Sequence, residues 1–289
     1  MSPENRACFR RLTTLILALM FIGSGGRVLA ASSPDHYNFG VFPFMPMPAL
    51  IKYYNSVSND FTRFVKRRVI AQSRPTFKLF SREIESETYD IIFIQPFDYP
   101  EAHKHHYIPL ARRADDLDAI IVTKIGSNVK SIADLAGKTL ANPPLESAIT
   151  NVIKKELIKA GLDGNNTIDM IYTGNHFACM QMVLVGKADA CSTTTPVLKH
   201  WENSQLKTKK LHVIHRAKAV PHTLYMAHER VPKQDRELFK KAILTWDKRP
   251  AGKSILKIFN VNSFIEAKDS DYNVINHFWD DNQSASTKH

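Results

Sequence analysis

The sequence predicts an α/β protein of two lobes, each a mostly parallel sheet flanked by helices. Three observations predict it. The 289 residues are enough for two cores of ordinary domain size. Short apolar runs alternate with longer amphipathic segments, the pattern of β-α-β units. The run Asp90-Ile91-Ile92-Phe93-Ile94 is continuously apolar after its first residue, as parallel strands covered on both faces are.

The first thirty residues stand apart from this pattern. Arg6, Arg10 and Arg11 precede an apolar run from Leu12 to Ile22, and Val28-Leu29-Ala30 offers a small-residue cleavage site. The run is shorter than the roughly 20 residues a membrane span needs. Residues 1–30 are therefore expected to be a secretory signal cleaved after about Ala30, releasing the protein into a periplasm. Cys8 lacks the apolar lipobox of a lipoprotein. The net charge is +11; residues 1–30 carry four Arg and one Glu, and without them the balance is 35 basic against 27 acidic residues. This excess favours anionic partners in general, but scattered solubility charge accounts for it equally, since no basic run exceeds a few positions (Lys66-Arg67-Arg68; Lys207 to Lys210). No aromatic-interleaved basic helix appears, so nucleic acid is not an expected partner.

The elements follow in order. Tyr37 to Phe42 reads as a strand, and Pro43-Phe44-Met45-Pro46-Met47-Pro48 as a rigid loop, because its prolines oppose both helix and sheet pairing. Ala49 to Val69 has apolar residues near helical spacing; Thr76 to Phe80 reads as the second strand and Arg82 to Glu87 as a short polar helix or turn. Asp90 to Ile94 is the third strand, and Ile108 to Arg113 and Asp118 to Thr123 are two more. Ser131 to Gly137 reads as a capped short helix leading into a strand at Thr139 to Ala141. A helix is expected from Ser147 to Lys159, a strand from Ile168 to Tyr172, a helix from Phe177 to Val185, and a strand start at Ala190-Cys191 that ends in hydroxyls. Val197 to Asn203 is helical, Leu211 to His215 a strand, and Asp235 to Trp246 and Gly252 to Phe259 helices, followed by an Asp- and Asn-rich end to Trp279 and a disordered tail at 282–289. The expected division is 31–120 for lobe one, 121–222 for lobe two, and 223–281 for the return to lobe one with the C-terminal helices.

The stretch Tyr172 to Pro196 is chemically the most distinctive. A polar loop (Thr173-Gly174-Asn175-His176) enters an amphipathic helix, and a tight turn (Gly186-Lys187-Ala188-Asp189) leads to the hydroxyls Ser192 to Thr195. Unpaired N–H groups at a helix entry suit an anion, and loops at the carboxyl ends of strands line the crevice of an open α/β sheet. The order G-x-H, apolar helix, G-K-A-D-A, with Asp90 to Tyr99 upstream, resembles the periplasmic phosphate/phosphite/phosphonate-binding proteins of ABC transporters over roughly Asn38 to Trp246.

That resemblance implies the type II periplasmic binding protein fold, with two crossing strands as hinge, the first at Ala119-Ile120-Ile121-Val122 and the second within Ala219 to Ala227. It implies a small oxyanion as ligand and no catalysis. His176 takes the place of the family's oxyanion-contacting histidine, with Asn175 beside it; Thr193, Thr194 and Thr195 fall where relatives carry acidic or amide contacts. Pro196 stands near a common acidic contact, which disfavours an aminophosphonate. Gln95 stands where the family tends to have glycine. The family's D-P-x-S-T-S-G helix entry is replaced by Pro143-Pro144-Leu145-Glu146-Ser147-Ala148-Ile149: Ser147 keeps a hydroxyl, while Glu146 either repels an anion or serves the helix dipole. Phe42, at the end of the first strand, and Met45, on the crevice loop after it, are further candidates.

The soft residues leave three alternatives open. His176, Cys179 and Met180 share a helix face and could form a Cu(I) or arsenite site; Cys179 and Met180 could simply fill core; or Cys179 and Cys191, which come level across the intervening turn, could form a disulfide. His103, His105 and His106 lack the spacing of a metal site and read as a solvated helix end. The sequence has no P-loop, G-x-S-x-G or H-E-x-x-H, so neither a cofactor nor an enzyme is expected. The expected partners are a small, anionic ligand and an ABC permease or a membrane sensor kinase, with the protein a monomer.

Overall fold

The computed structural model describes residues 35–45, 47–162, 167–204 and 210–278. The leader read in residues 1–30, the tail at 282–289, Trp279, Pro46 of the proline loop and most of the basic run at 207–210 lie outside the described residues.

The chain opens with β1 (His36–Val41), α1 (Met47–Val65), β2 (Arg68–Gln72), α2 (Phe77–Glu85) and β3 (Ile91–Ile94). β1 lies between β2 and β3 and is parallel to both. Gly40 is required there, because a Cβ would meet the Tyr89 ring at 2.5 Å. This is where two expectations need correction. The first helix does not run to Val69: it ends at Val65, Lys66 turns with φ 56°, and Val69-Ile70-Ala71 pairs with β1. Thr76 to Phe80 is not a strand: Thr76 caps α2 by accepting from the Leu79 N–H (3.2 Å). Phe77, Phe80 and Ile84 keep a helical period, and Phe80 and Ile84 are buried. A five-residue window contained too little of that period to show it.

A 3₁₀ turn (Pro96–Asp98) and α3 (Tyr99–Lys104) lead to β4 (Tyr107–Arg113), after which the chain crosses to a second sheet. That sheet is built from β5 (Ile120–Lys124), β6 (Thr139–Asn142), α4 (Ala148–Lys159), β7 (Asp169–Tyr172), α5 (His176–Leu184), β8 (Ala190–Thr193), α6 (Thr195–Ser204) and β9 (Leu211–Arg216). The return leads to β10 (Leu224–His228), α7 (Lys233–Leu244), α8 (Pro250–Phe259), β11 (Phe264–Glu266) and α9 (Asn273–Asn276). The Asp- and Asn-rich end thus holds β11, which pairs with β4.

The sheet orders are β11-β4-β10-β3-β1-β2 and β7-β6-β8-β5-β9. Both sheets are mixed. β10 is antiparallel to β3 and β4, and β5 is antiparallel to β8 and β9. The crossings explain this. A chain leaving one sheet at the carboxyl ends of its strands enters the other from the same crevice side and must run away from it. The expected crossing strand Ala119 to Val122 lies mostly within β5, fully paired in the second sheet; the crossing segments are residues 114–119 and 217–223, which meet at an isolated antiparallel bridge between Leu117 and Val220.

The first sheet packs against an aromatic core that includes Phe39, Tyr54, Phe61, Tyr225 and Trp246. A second cluster, with Cys179, Met180, Cys191 and Trp201, sits under the second sheet. Asp60 is fully buried but is held below the usual carboxylate range: burial pushes it up, and bonds from the Arg249 guanidinium (2.7 and 3.0 Å) and Trp246 Nε1 (2.8 Å) more than offset that. No helix among the described residues is long and apolar enough to cross a membrane.

Candidate functional site

The carboxyl ends of β3, β6, β7 and β8 deliver the loops that carry most of the expected site residues, and they form two walls. The first is the entry to α4. Ser147 is its N-cap, accepting from the Ile149 N–H at 3.3 Å. The N–H of Ala148 is taken by a residue of the other lobe: Gln95 Oε1 accepts it at 2.9 Å, while Gln95 Nε2 donates to the Glu146 carbonyl at 2.8 Å and more weakly to Asp98 Oδ1 at 3.4 Å. Gln95 is 5% exposed, and two of the three hydrogen bonds its amide makes join the two lobes. Beside this bridge is a cleft of about 410 Å3 lined by Phe77, Lys78 and Arg82 of α2 together with Gln95, Asp98 and Glu146. The Glu146 residue is exposed, so its carboxylate lies in a solvated mouth. Asp98 Oδ2 is sealed from solvent and has no hydrogen-bond partner. Burial pushes the Asp98 carboxyl up to about 7, against the pull of the Gln95 bond.

The second wall is the entry to α5. Asn175 is the N-cap, its Oδ1 accepting from the Ala178 N–H at 2.9 Å. Thr173 anchors the loop through its N–H and hydroxyl, both donating to the Asn142 carbonyl (2.8 and 2.9 Å). His176, the first helical residue, sets Nδ1 3.2 Å from Thr193 Oγ1. Burial pushes its pKa down to about 4, so it is neutral at pH 7, with Nδ1 facing the threonine. One turn into the helix, Cys179 is disulfide-bonded to Cys191 of β8, Cα to Cα 5.6 Å. The bond leaves Cys179 no thiolate, which removes the soft-metal set of His176, Cys179 and Met180; Met180 is core. Among the described residues no group of three or more His, Cys, Asp or Glu side chains could hold a metal. His103, His105 and His106 turn to three different acids, Asp269, Glu101 and Glu229.

The three threonines part company. Thr193 is buried at the end of β8 and faces His176. Thr194 caps α6, accepting from the Val197 N–H at 3.3 Å. Thr195 donates to Asp118 and accepts from Arg216 Nη1 at 2.8 Å, which ties α6 to the first crossing. Phe42 is buried in a ring cluster with Phe44 (4.9 Å), Phe93 (5.6 Å) and Phe77 (6.1 Å), which places it behind the cleft wall; Met45 is half-buried on the same core. Gln95 and Glu146 thus meet in one cleft, whereas His176 and Thr193 form a separate pair outside its lining.

Sequence reading missed three residues. Asn142, fully buried, accepts the Ser192 hydroxyl at Oδ1 (2.7 Å) and supports both loops of the second wall; a lone amide closing an apolar strand was its only signal. Asp98 was seen as a loop residue, but its burial was not visible. His222 lies on the second crossing, its pKa pushed down to about 3 by burial and by nearby Arg113, while Asp115 pulls the other way.

A family profile described as an ABC transporter, phosphonate, periplasmic substrate-binding protein matches residues 39–272. The fold is similar to that of PhnD1 from Prochlorococcus marinus solved with methylphosphonate: 18% identity over 87% of this chain and 99% of that one, TM-score 0.75. It is also similar to a binding protein component of an ABC phosphonate transporter from Pseudomonas aeruginosa (14% identity, 88% and 89% covered, TM-score 0.73) and to a Xanthomonas citri protein solved with ATP (13%, 88% and 99%, TM-score 0.72). At these identities the structural likeness is one of fold, and the profile match carries the assignment: the chain belongs to the family of periplasmic substrate-binding proteins of phosphonate ABC transporters.

Proposed function

We propose that the protein, freed of residues 1–30 by cleavage after about Ala30, acts as a monomer that captures a small tetrahedral oxyanion between its lobes and hands it to an ABC permease. Phosphonate, phosphite and phosphate are the ligand class. The observation that carries this reading is the half-buried, neutral His176 at the first turn of α5, bonded to Thr193 and set at a helix N-terminus where an anion is favoured. A neutral imidazole can donate to one phosphoryl oxygen without the desolvation cost of a buried cation. Closure would follow rotation about the paired crossings at Leu117 and Val220.

Calorimetric titration of the mature protein with methylphosphonate, phosphite and phosphate tests the proposal, with sulfate, arsenite and Cu(I) as controls. Saturable binding of at least one phosphorus oxyanion, weakened in His176→Gln, is expected. Binding of arsenite or Cu(I) alone would overturn it.

A further inference from the structure

The Gln95 bridge uses only protein atoms, and it sits where a ligand would compete with it. Gln95 leaves the end of β3 in one lobe and reaches the first N–H of α4 in the other, making two hydrogen bonds to residues 51 and 53 positions away. A helix of twelve residues concentrates positive potential on its first N–H groups. At α4 the Ala148 N–H is covered by an amide oxygen and the Ile149 N–H by the Ser147 hydroxyl. An oxyanion seated at this entry must displace the Gln95 oxygen, and doing so also breaks the bond from Gln95 Nε2 to the Glu146 carbonyl.

We propose that Gln95 is a specificity-determining latch: its side-chain amide stands in for a ligand at the entry to α4, adds two hydrogen bonds between the lobes beside the one from Lys155 Nζ to the Phe278 carbonyl, and makes an incoming oxyanion compete for that seat. The ligand then gains less from closing the lobes than it would if closure required its presence, because a ligand shifts a conformational equilibrium only by the difference in its affinity for the two states. The His176 and Thr193 wall becomes the part of the site that discriminates among ligands. The latch stands on the hydrogen-bond geometry; its consequence for affinity rests on the oxyanion reading above.

Two variants separate bulk from bonding. Gln95→Gly vacates the seat, and Gln95→Met fills it without hydrogen bonds. X-ray scattering on ligand-free protein reads the latch: both variants should show a larger radius of gyration than the native protein, and an unchanged radius in both would overturn the latch. Calorimetry with methylphosphonate and with phosphate reads the consequence. Gln95→Gly should bind at least tenfold more tightly than native, with Gln95→Met gaining less; weaker binding by Gln95→Gly would instead make the amide a ligand contact and overturn the competition. If no form binds any phosphorus oxyanion, the oxyanion reading and the competition fall together, while the scattering result still decides the latch.

Discussion

The entries to α4 and α5 begin alike and end differently. Each follows a parallel strand of the second sheet, and each is capped by a short polar side chain, Ser147 or Asn175. At α4 the next free N–H is bonded to Gln95 from across the cleft. At α5 the first residue is a half-buried histidine held against Thr193, with a disulfide one turn below. A helix N-terminus is an anion seat only while its N–H groups are unspoken for. By that measure α4 is occupied, its Ala148 and Ile149 N–H groups both taken by side-chain oxygens, whereas at α5 Asn175 covers the Ala178 N–H. The anchoring differs too: α5 is fixed within its own lobe by a covalent bond, α4 across the lobes by bonds that water or a ligand can replace.

The comparison can be broken at several points. The largest effect is expected at the disulfide. Replacing Cys179 and Cys191 together by serine should lower unfolding free energy by about 3 kcal/mol, the scale for a loop of this length, closed here over a separation of 12 residues. Urea titration with and without reductant checks it; a loss below about 1 kcal/mol would mean that α5 is held by packing instead.

Asp98 comes next. Its folded pKa of about 7 lies above the ordinary carboxylate value of 3.8. Below that ordinary value both states are protonated; between the two values the unfolded chain loses its proton while the folded protein keeps it, so stability falls as pH rises through this window. Asp98→Asn should therefore be near neutral at pH 4 and stabilising at pH 8, on the order of 2 kcal/mol. Equal melting shifts at the two pH values would place Asp98 in water.

His176→Gln should weaken oxyanion binding roughly tenfold, about 1.4 kcal/mol. Burial holds the native pKa near 4, so the stability that comes from keeping the ring neutral is complete above its unfolded value and is lost as pH falls toward the folded one. A bound anion raises that pKa, so native binding should tighten from pH 7 to pH 5 relative to His176→Gln with the same ligand, and parallel profiles would remove His176 from the site. The smallest difference is between the caps. Asn175→Ala should cost about 1 kcal/mol and Ser147→Ala about half that, because Gln95 already serves the α4 entry; thermal melts that reverse this order would argue against the bridge.

What could be read from the sequence was mainly local. The stretch Ser147 to Lys159 marked α4 to within one residue, the Ile91 to Ile94 run marked a buried strand, and Gly186, with φ 72°, ended the α5 hairpin in the expected register. Where a signal was short or long-range, reading failed. Phe77 to Phe80 is one helical turn, which alternation imitates. β11 is three residues long and exists because β4 offers it an edge. Gln95 could be marked as a side chain in a glycine's place, but its partners are set by the approach of two lobes far apart in sequence. Whether Cys179 and Cys191 bridged, filled core or served a soft ion was open from the sequence; their Cα atoms, 5.6 Å apart across helix and strand, carry a disulfide, and that proximity is set by tertiary packing.

The position of β10 has a consequence for how the chain acquires its shape. The second sheet draws on one uninterrupted stretch, from Ile120 to Arg216, and is complete as soon as that stretch is available. The first is not: β10 lies in its interior, between β3 and β4, and arrives only after the whole second sheet has been made. During synthesis from the N-terminus, β3 and β4 must wait with their facing edges unpaired, a state prone to wrong pairing. The lobe that is first in sequence is therefore the last to be finished, and nascent chains stopped before Leu224 should protect the second sheet from proteolysis while leaving the first exposed.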